Sequence, residues 1–145
     1  MVRRNMKKIF YRSFDTPFSL HDLRVSQILY ENNDLHIQFE YMIDYSQEEE
    51  RYYEASICFE NAEPDFCQAY ILDNQKNQTF TGCLYSLEDF LKQFPQFDFT
   101  IIYEYYGYEK CLWQGELSIE NKIFSCQLEI VYTGDIIYKI GKEKR

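Results

Sequence analysis

His21 and Asp22 stand side by side in the segment Phe14-Asp15-Thr16-Pro17-Phe18-Ser19-Leu20-His21-Asp22-Leu23-Arg24-Val25, and an imidazole next to a carboxylate is a pairing used in general-base chemistry. Neighbours on a strand point to opposite faces, so the pair cooperates only where a loop bends both toward one pocket. A nucleophile would also be needed, and Ser19, Ser26 and the cysteines offer themselves without a spacing that selects one. The structural alternative, which the sequence favours, is that Asp22 caps a turn while His21 holds a backbone carbonyl.

The other reactive side chains point away from catalysis. Cys58, Cys67, Cys83, Cys111 and Cys126 are odd in number, no two are spaced as C-x-x-C, and only two histidines accompany them. The sequence therefore predicts no metal and no cofactor, with the thiols reduced and packed as small apolar groups in a cytoplasmic compartment. His36 falls on the polar side of its strand and reads as a solvent-facing residue. Glu48-Glu49-Glu50 lacks the oxygen spacing and tight glycine turn of a calcium loop and reads as a solvated connection. The five glycines are too scattered to form a phosphate-binding loop. The sequon Asn77-Gln78-Thr79 has meaning only in a secreted chain.

Two asymmetries suggest binding instead. Basic residues cluster at the ends, leaving residues 13–138 with Arg24, Arg51, Lys76, Lys92, Lys110 and Lys122 against 23 acids, a net −17 beneath the formal −9. A body of that sign repels nucleic acid and attracts a basic protein partner. Aromatic residues make up 19% of the chain, with 14 tyrosines among them. Tyr103, Tyr105, Tyr106 and Tyr108 crowd one hairpin tip opposite Cys111 and Trp113. Tyrosine joins a large apolar face to a polar tip, so Tyr103, Tyr105, Tyr106, Tyr108 and Trp113 are the candidate binding residues, with Tyr106 and Tyr108 at the tip.

These side chains must be positioned by strands. Residues 25–30 and 35–45 flank the turn Glu31-Asn32-Asn33-Asp34, and Leu35, Ile37, Phe39, Tyr41 and Ile43 recur at every second position. The same period of two runs through Tyr53, Ala55, Ile57 and Phe59; residues 66–72 form a further strand, followed by a polar loop over 73–77. One helix is predicted over 87–94, capped by Ser86 with Asp89 three residues on, its stripe Leu87, Phe90, Leu91 and Phe94 laid on the sheet, and Pro95 ending it. In the last third, a Gly107-Tyr108-Glu109 loop pairs Tyr103 with Trp113, Ile101 with Gly115, Phe99 with Leu117 and Tyr105 with Cys111. A Glu120-Asn121 turn pairs Leu117 with Phe124, Gly115 with Cys126 and Trp113 with Leu128. A Thr133-Gly134-Asp135 turn sets Tyr132, Ile130 and Leu128 against Ile136, Tyr138 and Ile140, completing a four-stranded meander.

The fold class that follows is mainly β, an antiparallel meander sheet curling to a barrel or a two-layer sandwich, with one short helix. It is one domain over 1–145, whose basic segment 1–12 is expected to be flexible. The longest apolar runs are a few residues, against the roughly 20 that a spanning helix needs, so no membrane span is expected. The opening basic stretch is interrupted by Arg12 and Asp15 before an export signal can form. Through Leu20-His21-Asp22 and the strand pattern over residues 18–43, the chain resembles a group of small β-rich bacterial proteins that open with this tripeptide before their first hairpin; that resemblance implies the fold and no mechanism.

The functional expectation is a non-enzymatic protein-binding module with an acidic, tyrosine-rich surface, similar in size and charge to the immunity proteins that inhibit bacterial toxins. The alternative is a small-ligand binder or hydrolase-type enzyme using a His21/Asp22 pocket. Self-association into a homo-oligomer through exposed strand edges is a third expectation.

Overall fold

The structure is a computed structural model that describes residues 7–11, 19–44, 48–74 and 80–144. Most of the acidic connection's start, much of the basic amino-terminal segment and the Asn77-Gln78-Thr79 sequon lie outside the described residues.

Among the described residues, eleven strands and one helix follow in chain order: β1 (Lys7–Tyr11), β2 (Arg24–Glu31), β3 (Asp34–Phe39), β4 (Met42–Asp44), β5 (Arg51–Phe59), β6 (Gln68–Asn74), β7 (Phe80–Ser86), α1 (Leu87–Gln93), β8 (Asp98–Gly107), β9 (Lys110–Ile119), β10 (Lys122–Val131) and β11 (Ile136–Lys144). All pairings are antiparallel within one open sheet, ordered β1-β11-β5-β3-β2-β8-β9-β10-β6-β7, with β4 attached to β5. This is the mainly β class expected. Lys7–Tyr11 of the basic segment is an edge strand on β11.

The sheet is folded over on itself. Along the path, β5 and β9 are four strand spacings apart, about 19 Å, yet the rings of Phe59 and Trp113 are 5.7 Å apart. Phe39 on β3 also lies 6.0 Å from Trp113. Strands β1, β11, β5, β3 and β2 therefore face β8, β9, β10, β6 and β7 across a core of Leu35, Ile37, Phe39, Ile57, Phe59, Phe99, Trp113, Leu117 and Leu128. The layers join where β2 meets β8, through only two register pairs, Arg24 with Thr100 and Val25 with Phe99. Beyond that junction β2 diverges, and α1 fills the wedge: Ser86 accepts from the Asp89 N–H at 3.1 Å, and buried Leu87 and Phe90 face inward. Phe90, Phe94 and Phe97 continue the plug, with ring centroids 5.3–5.5 Å apart.

Two hairpins follow local chemistry. Asn32 and Asn33 take φ of 53° and 65°, and Glu120 and Asn121 take 49° and 68°, the left-handed pair that a two-residue turn needs to match strand twist. The register Leu117–Phe124, Gly115–Cys126 and Trp113–Leu128 is as expected. The long strand expected over 35–45 instead breaks at Glu40 and Tyr41, and Met42 becomes buried in place of the next odd position.

Two registers are corrected. The β8–β9 loop is Tyr108-Glu109, not three residues, and Ile102 is an extra residue bulged out of β8. Phe99 and Ile101 keep their expected partners Leu117 and Gly115, but beyond the bulge Glu104, not Tyr103, faces Trp113, and Tyr106, not Tyr105, faces Cys111. The second correction is that β11 does not complete the meander on β10. Thr133-Gly134-Asp135 does turn the chain, but the turn is held by the end of β5: Thr133 N–H donates to the Asn61 carbonyl, Gly134 N–H to that of Glu60, and Asp135 N–H to the Glu60 carboxylate. These bonds carry β11 across to pair Ile136 with Phe59 and Tyr138 with Ile57, while β6 takes the edge of β10. Alternation alone cannot separate the two outcomes, because Ile136, Tyr138 and Ile140 face inward in both.

Gly115 permits the bulge. A Cβ there would overlap the Thr100 carbonyl oxygen and crowd the Cα of Ile101, both backbone atoms that cannot swing aside. Gly115→Ala is expected to destabilise the protein by about 3 kcal/mol. Gly107→Ala, where the new methyl would lie 3.9 Å from the nearest atom, should change stability far less. Urea unfolding of both variants measures the difference.

Candidate functional site

The His21/Asp22 segment is a tight turn, closed by Leu23 N–H donating to the Leu20 carbonyl at 3.0 Å. Asp22 adopts φ 66°, and its N–H donates to the Ile101 carbonyl at 2.7 Å, pinning the turn to β8 beside the bulge. His21 Nδ1 lies 3.0 Å from Asp22 Oδ2, with the side chains 56% and 70% exposed. The imidazole therefore meets its neighbour's carboxylate and not a backbone carbonyl, and the pair stands in the open; Ser19 Oγ accepts from the His21 main-chain N–H at 3.3 Å, and among the described residues no serine or thiol is bonded to the imidazole itself.

Beneath this turn the bulge directs two polar side chains inward. Glu104 Oε2 accepts from the Leu20 N–H at 2.8 Å, and Glu104 Oε1 accepts from the Tyr106 hydroxyl at 2.7 Å. Trp113 Nε1–H donates to Tyr106 Oη at 3.3 Å. Tyr138 reaches the same cluster from the opposite layer. Burial drives the Tyr106 phenol far above its ordinary range, with Cys111, Tyr138 and Glu104 adding to it and the Trp113 bond opposing. Burial also raises Tyr138, partly offset by its hydrogen bond with Tyr106. Burial alone pushes the Cys126 thiol to about 12, and it is the largest cause of the rise at Cys111. These groups are held protonated inside the sandwich, which suits fixing the turn and not exchanging protons.

The five candidate binding residues separate across the sheet. Trp113 is fully buried and Tyr106 lies in the interior, whereas Tyr103, Tyr105 and Tyr108 are exposed, Tyr108 at 87%. The register extends Tyr103 into a rank across all five strands of its layer: Tyr103, Gln114, Gln127, Tyr70 and Leu84. The adjacent rank is Tyr105, Leu112, Glu129, Gln68 and Ser86. Tyr70, Leu84, Leu112 and Glu129 line a shallow groove of about 210 Å³ between the ranks. Exposed Glu109 and Glu116 add charge at the face, and Lys110 is 3.1 Å from Glu129. Leu84 escaped sequence reasoning because β7, interrupted by Gly82 and Cys83, shows little strand pattern, and Tyr70, within the strand expected over 66–72, joins the rank only through the β10–β6 pairing.

A second cluster lies on the outer face of the other layer. Asp34 and His36 share a face of β3, and Cys58 on β5 is the cross-strand partner of His36. A carboxylate oxygen, an imidazole nitrogen and the Cys58 sulfur all lie within 4.8 Å of one another. Burial raises the Cys58 thiol, Asp34 and Glu60 add to the rise and Lys139 opposes it, the reverse of an activated nucleophile. His36 is thus half-buried against a thiol and a carboxylate, not the plain solvent-facing residue expected.

The described cysteines are free, and all but Cys83 are buried. Cys67 Sγ is 3.4 Å from the Val131 N–H and 3.6 Å from its carbonyl, tying the 60–67 loop to β10. An open cleft of about 560 Å³ runs where β2 diverges from β8, walled by Ile28, Leu91, Phe97, Asp98 and Glu120; Asp98 is already engaged by Arg24. No helix among the described residues is long and apolar enough to cross a membrane. No family model matches the chain, and no curated protein or solved structure matches it.

The buried thiols and phenols set an alkaline limit. In the unfolded chain they ionise near 9.0 and 10.0, while the folded protein keeps their protons. Above those values the unfolded state binds fewer protons, so stability falls as pH rises, by up to about 1.4 kcal/mol per pH unit for each group. The urea midpoint should be insensitive to these four groups up to about pH 8.5 and drop steeply above about pH 10. A midpoint flat to about pH 11 would contradict their burial.

Proposed function

We propose that this chain is a non-enzymatic protein-binding module that engages a basic protein through the outer face of β8, β9, β10, β6 and β7, acting in the manner of an inhibitory immunity protein. The observation that carries the reading is the cross-strand rank that places Tyr103, Tyr70 and Leu84 on one exposed face, with Tyr105 and Leu112 in the next. Aromatic side chains with two rotatable bonds give large contact area at low entropic cost, and the intervening glutamines can hydrogen-bond a partner's backbone. Glu109 and Glu116 on this face, within a body of net −17, favour lysine- and arginine-rich partners and disfavour phosphate backbones. The free thiols support a reducing, cytoplasmic setting. The hydrolase reading has less support, since His21 and Asp22 stand exposed on a turn and bond to each other.

Affinity capture from the native host tests this. A basic partner should be retained at low salt, released at about 0.5 M salt, and bound about 30-fold more weakly by the Tyr103→Ala, Tyr105→Ala double variant. Phe66→Ala, an exposed aromatic on the 60–67 loop, should leave binding unchanged. Retention that is equal for the wild type and the double variant, or that does not respond to salt, would overturn the proposal.

A further inference from the structure

The Asp34, His36 and Cys58 cluster lies on the layer opposite the tyrosine face and is independent of that reading. We propose that these three side chains form a binding site for a divalent transition metal of the zinc class, with a fourth coordination position open to solvent. Zinc takes thiolate sulfur, imidazole nitrogen and carboxylate oxygen, at about 2.3, 2.0–2.1 and 2.0–2.2 Å. Around a shared tetrahedral ion such donors stand about 3.3–3.6 Å apart. Donor atoms already within 4.8 Å need only small side-chain rotations to close on one.

The backbone beneath them is set in advance. β3 is hydrogen-bonded to β2 on one side and to β5 on the other, and β5 is bonded in turn to β11, so the ligand-bearing positions are held by neighbours on both flanks. His36 and Cys58 occupy one register pair, and Asp34 sits two residues from His36 on the same face. An ion would have to order three side chains but no loop. Asp34 Oδ1 accepts the Asn61 N–H at 3.0 Å, an outer bond that fixes the carboxylate and leaves its other oxygen for an ion. Cys58 is 3% exposed and flanked by Ile137, which shields the sulfur, while half-buried Asp34 and His36 leave a way in from solvent.

Donor chemistry narrows the ion. Calcium and magnesium require several oxygens, and this cluster supplies one carboxylate. A sulfur and an imidazole together select zinc, cobalt and their neighbours. Three protein ligands plus an open position is the count of a site that accepts an exchangeable fourth donor, from water or from a bound partner.

Cobalt is the probe. In a Cys83→Ser background, which removes the exposed thiol, titration of the full chain with Co²⁺ should produce a thiolate-to-cobalt charge-transfer band that saturates at one equivalent and is abolished by Zn²⁺. The band should vanish in Cys58→Ser, and Co²⁺ affinity should fall at least about tenfold in His36→Gln. If Cys58→Ser does not fold by circular dichroism, His36→Gln and Asp34→Asn carry the test through Co²⁺ affinity and through the rise in thermal midpoint that Zn²⁺ gives the parent chain. No band at millimolar Co²⁺, a band that survives Cys58→Ser, or an affinity and a zinc-induced midpoint shift that are unchanged in both half-buried variants would overturn the site.

Discussion

The close approach of the Thr100 carbonyl to Gly115 is the contact on which the arrangement of this protein turns. Only a residue without a side chain lets the β8 backbone lie so near β9 at that point, and beside it Ile102 bulges out of the ladder. One unpaired residue reverses the inside and outside of everything that follows on the strand. Upstream, Phe99 and Ile101 enter the core; downstream, Glu104 and Tyr106 point inward while Tyr103 and Tyr105 face out. An inward carboxylate would ordinarily cost several kcal/mol, yet Glu104 is half-exposed and receives the Leu20 N–H and the Tyr106 hydroxyl. The bulge and the His21/Asp22 turn stabilise one another, since Asp22 N–H and Leu20 N–H both bond to β8 on either side of Ile102.

That coupling gives the conspicuous His21/Asp22 pair a structural occupation. The main chain of the turn supplies donors to β8, and the side chains of His21 and Asp22 are left in solvent while those of Leu20 and Leu23 are buried. The tyrosines are sorted by the same event: without the extra residue, Tyr103 and Tyr105 would compete with Trp113 for the interior, and Glu104 would lie on the surface. The exposed aromatic rank and the buried cluster of Tyr106, Trp113 and Tyr138 are therefore two consequences of a single register shift.

What could be read from the sequence was what is local. Asn32-Asn33 and Glu120-Asn121 announce left-handed turns, and Ser86 with Asp89 announces a helix start; each depends on a few adjacent residues. Alternation supplies the parity of a strand but not its partner. Thus β11 fits β10 or β5 equally well by pattern, and hydrogen bonds from Glu60 and Asn61, more than seventy residues upstream, decide the matter. The same limit hid the second cluster: the sequence puts Asp34 in the turn and His36 on the polar side of its strand, and Cys58 joins them only through the β3–β5 register, across the whole 40–50 connection. It also hid the outer rank, because Tyr103 and Leu84 belong together only through three intervening strands.

The interior constrains where any chemistry can happen. Among the described residues, the fully buried side chains are apolar, thiol or aromatic, with no buried charged group. A catalytic centre of the usual kind needs ionisable groups converging in a water-shielded cleft with pKa values poised near neutrality. Here the shielded ionisable groups are thiols and phenols pushed away from neutrality, and the carboxylates lie at or near the surface. The sheet spends its interior on packing and turns different side chains to its two outer faces, glutamine and tyrosine on one and histidine, aspartate and cysteine on the other. On such a scaffold the register decides which residues face outward, and in this chain the bulge at Ile102 decides it for the tyrosine face.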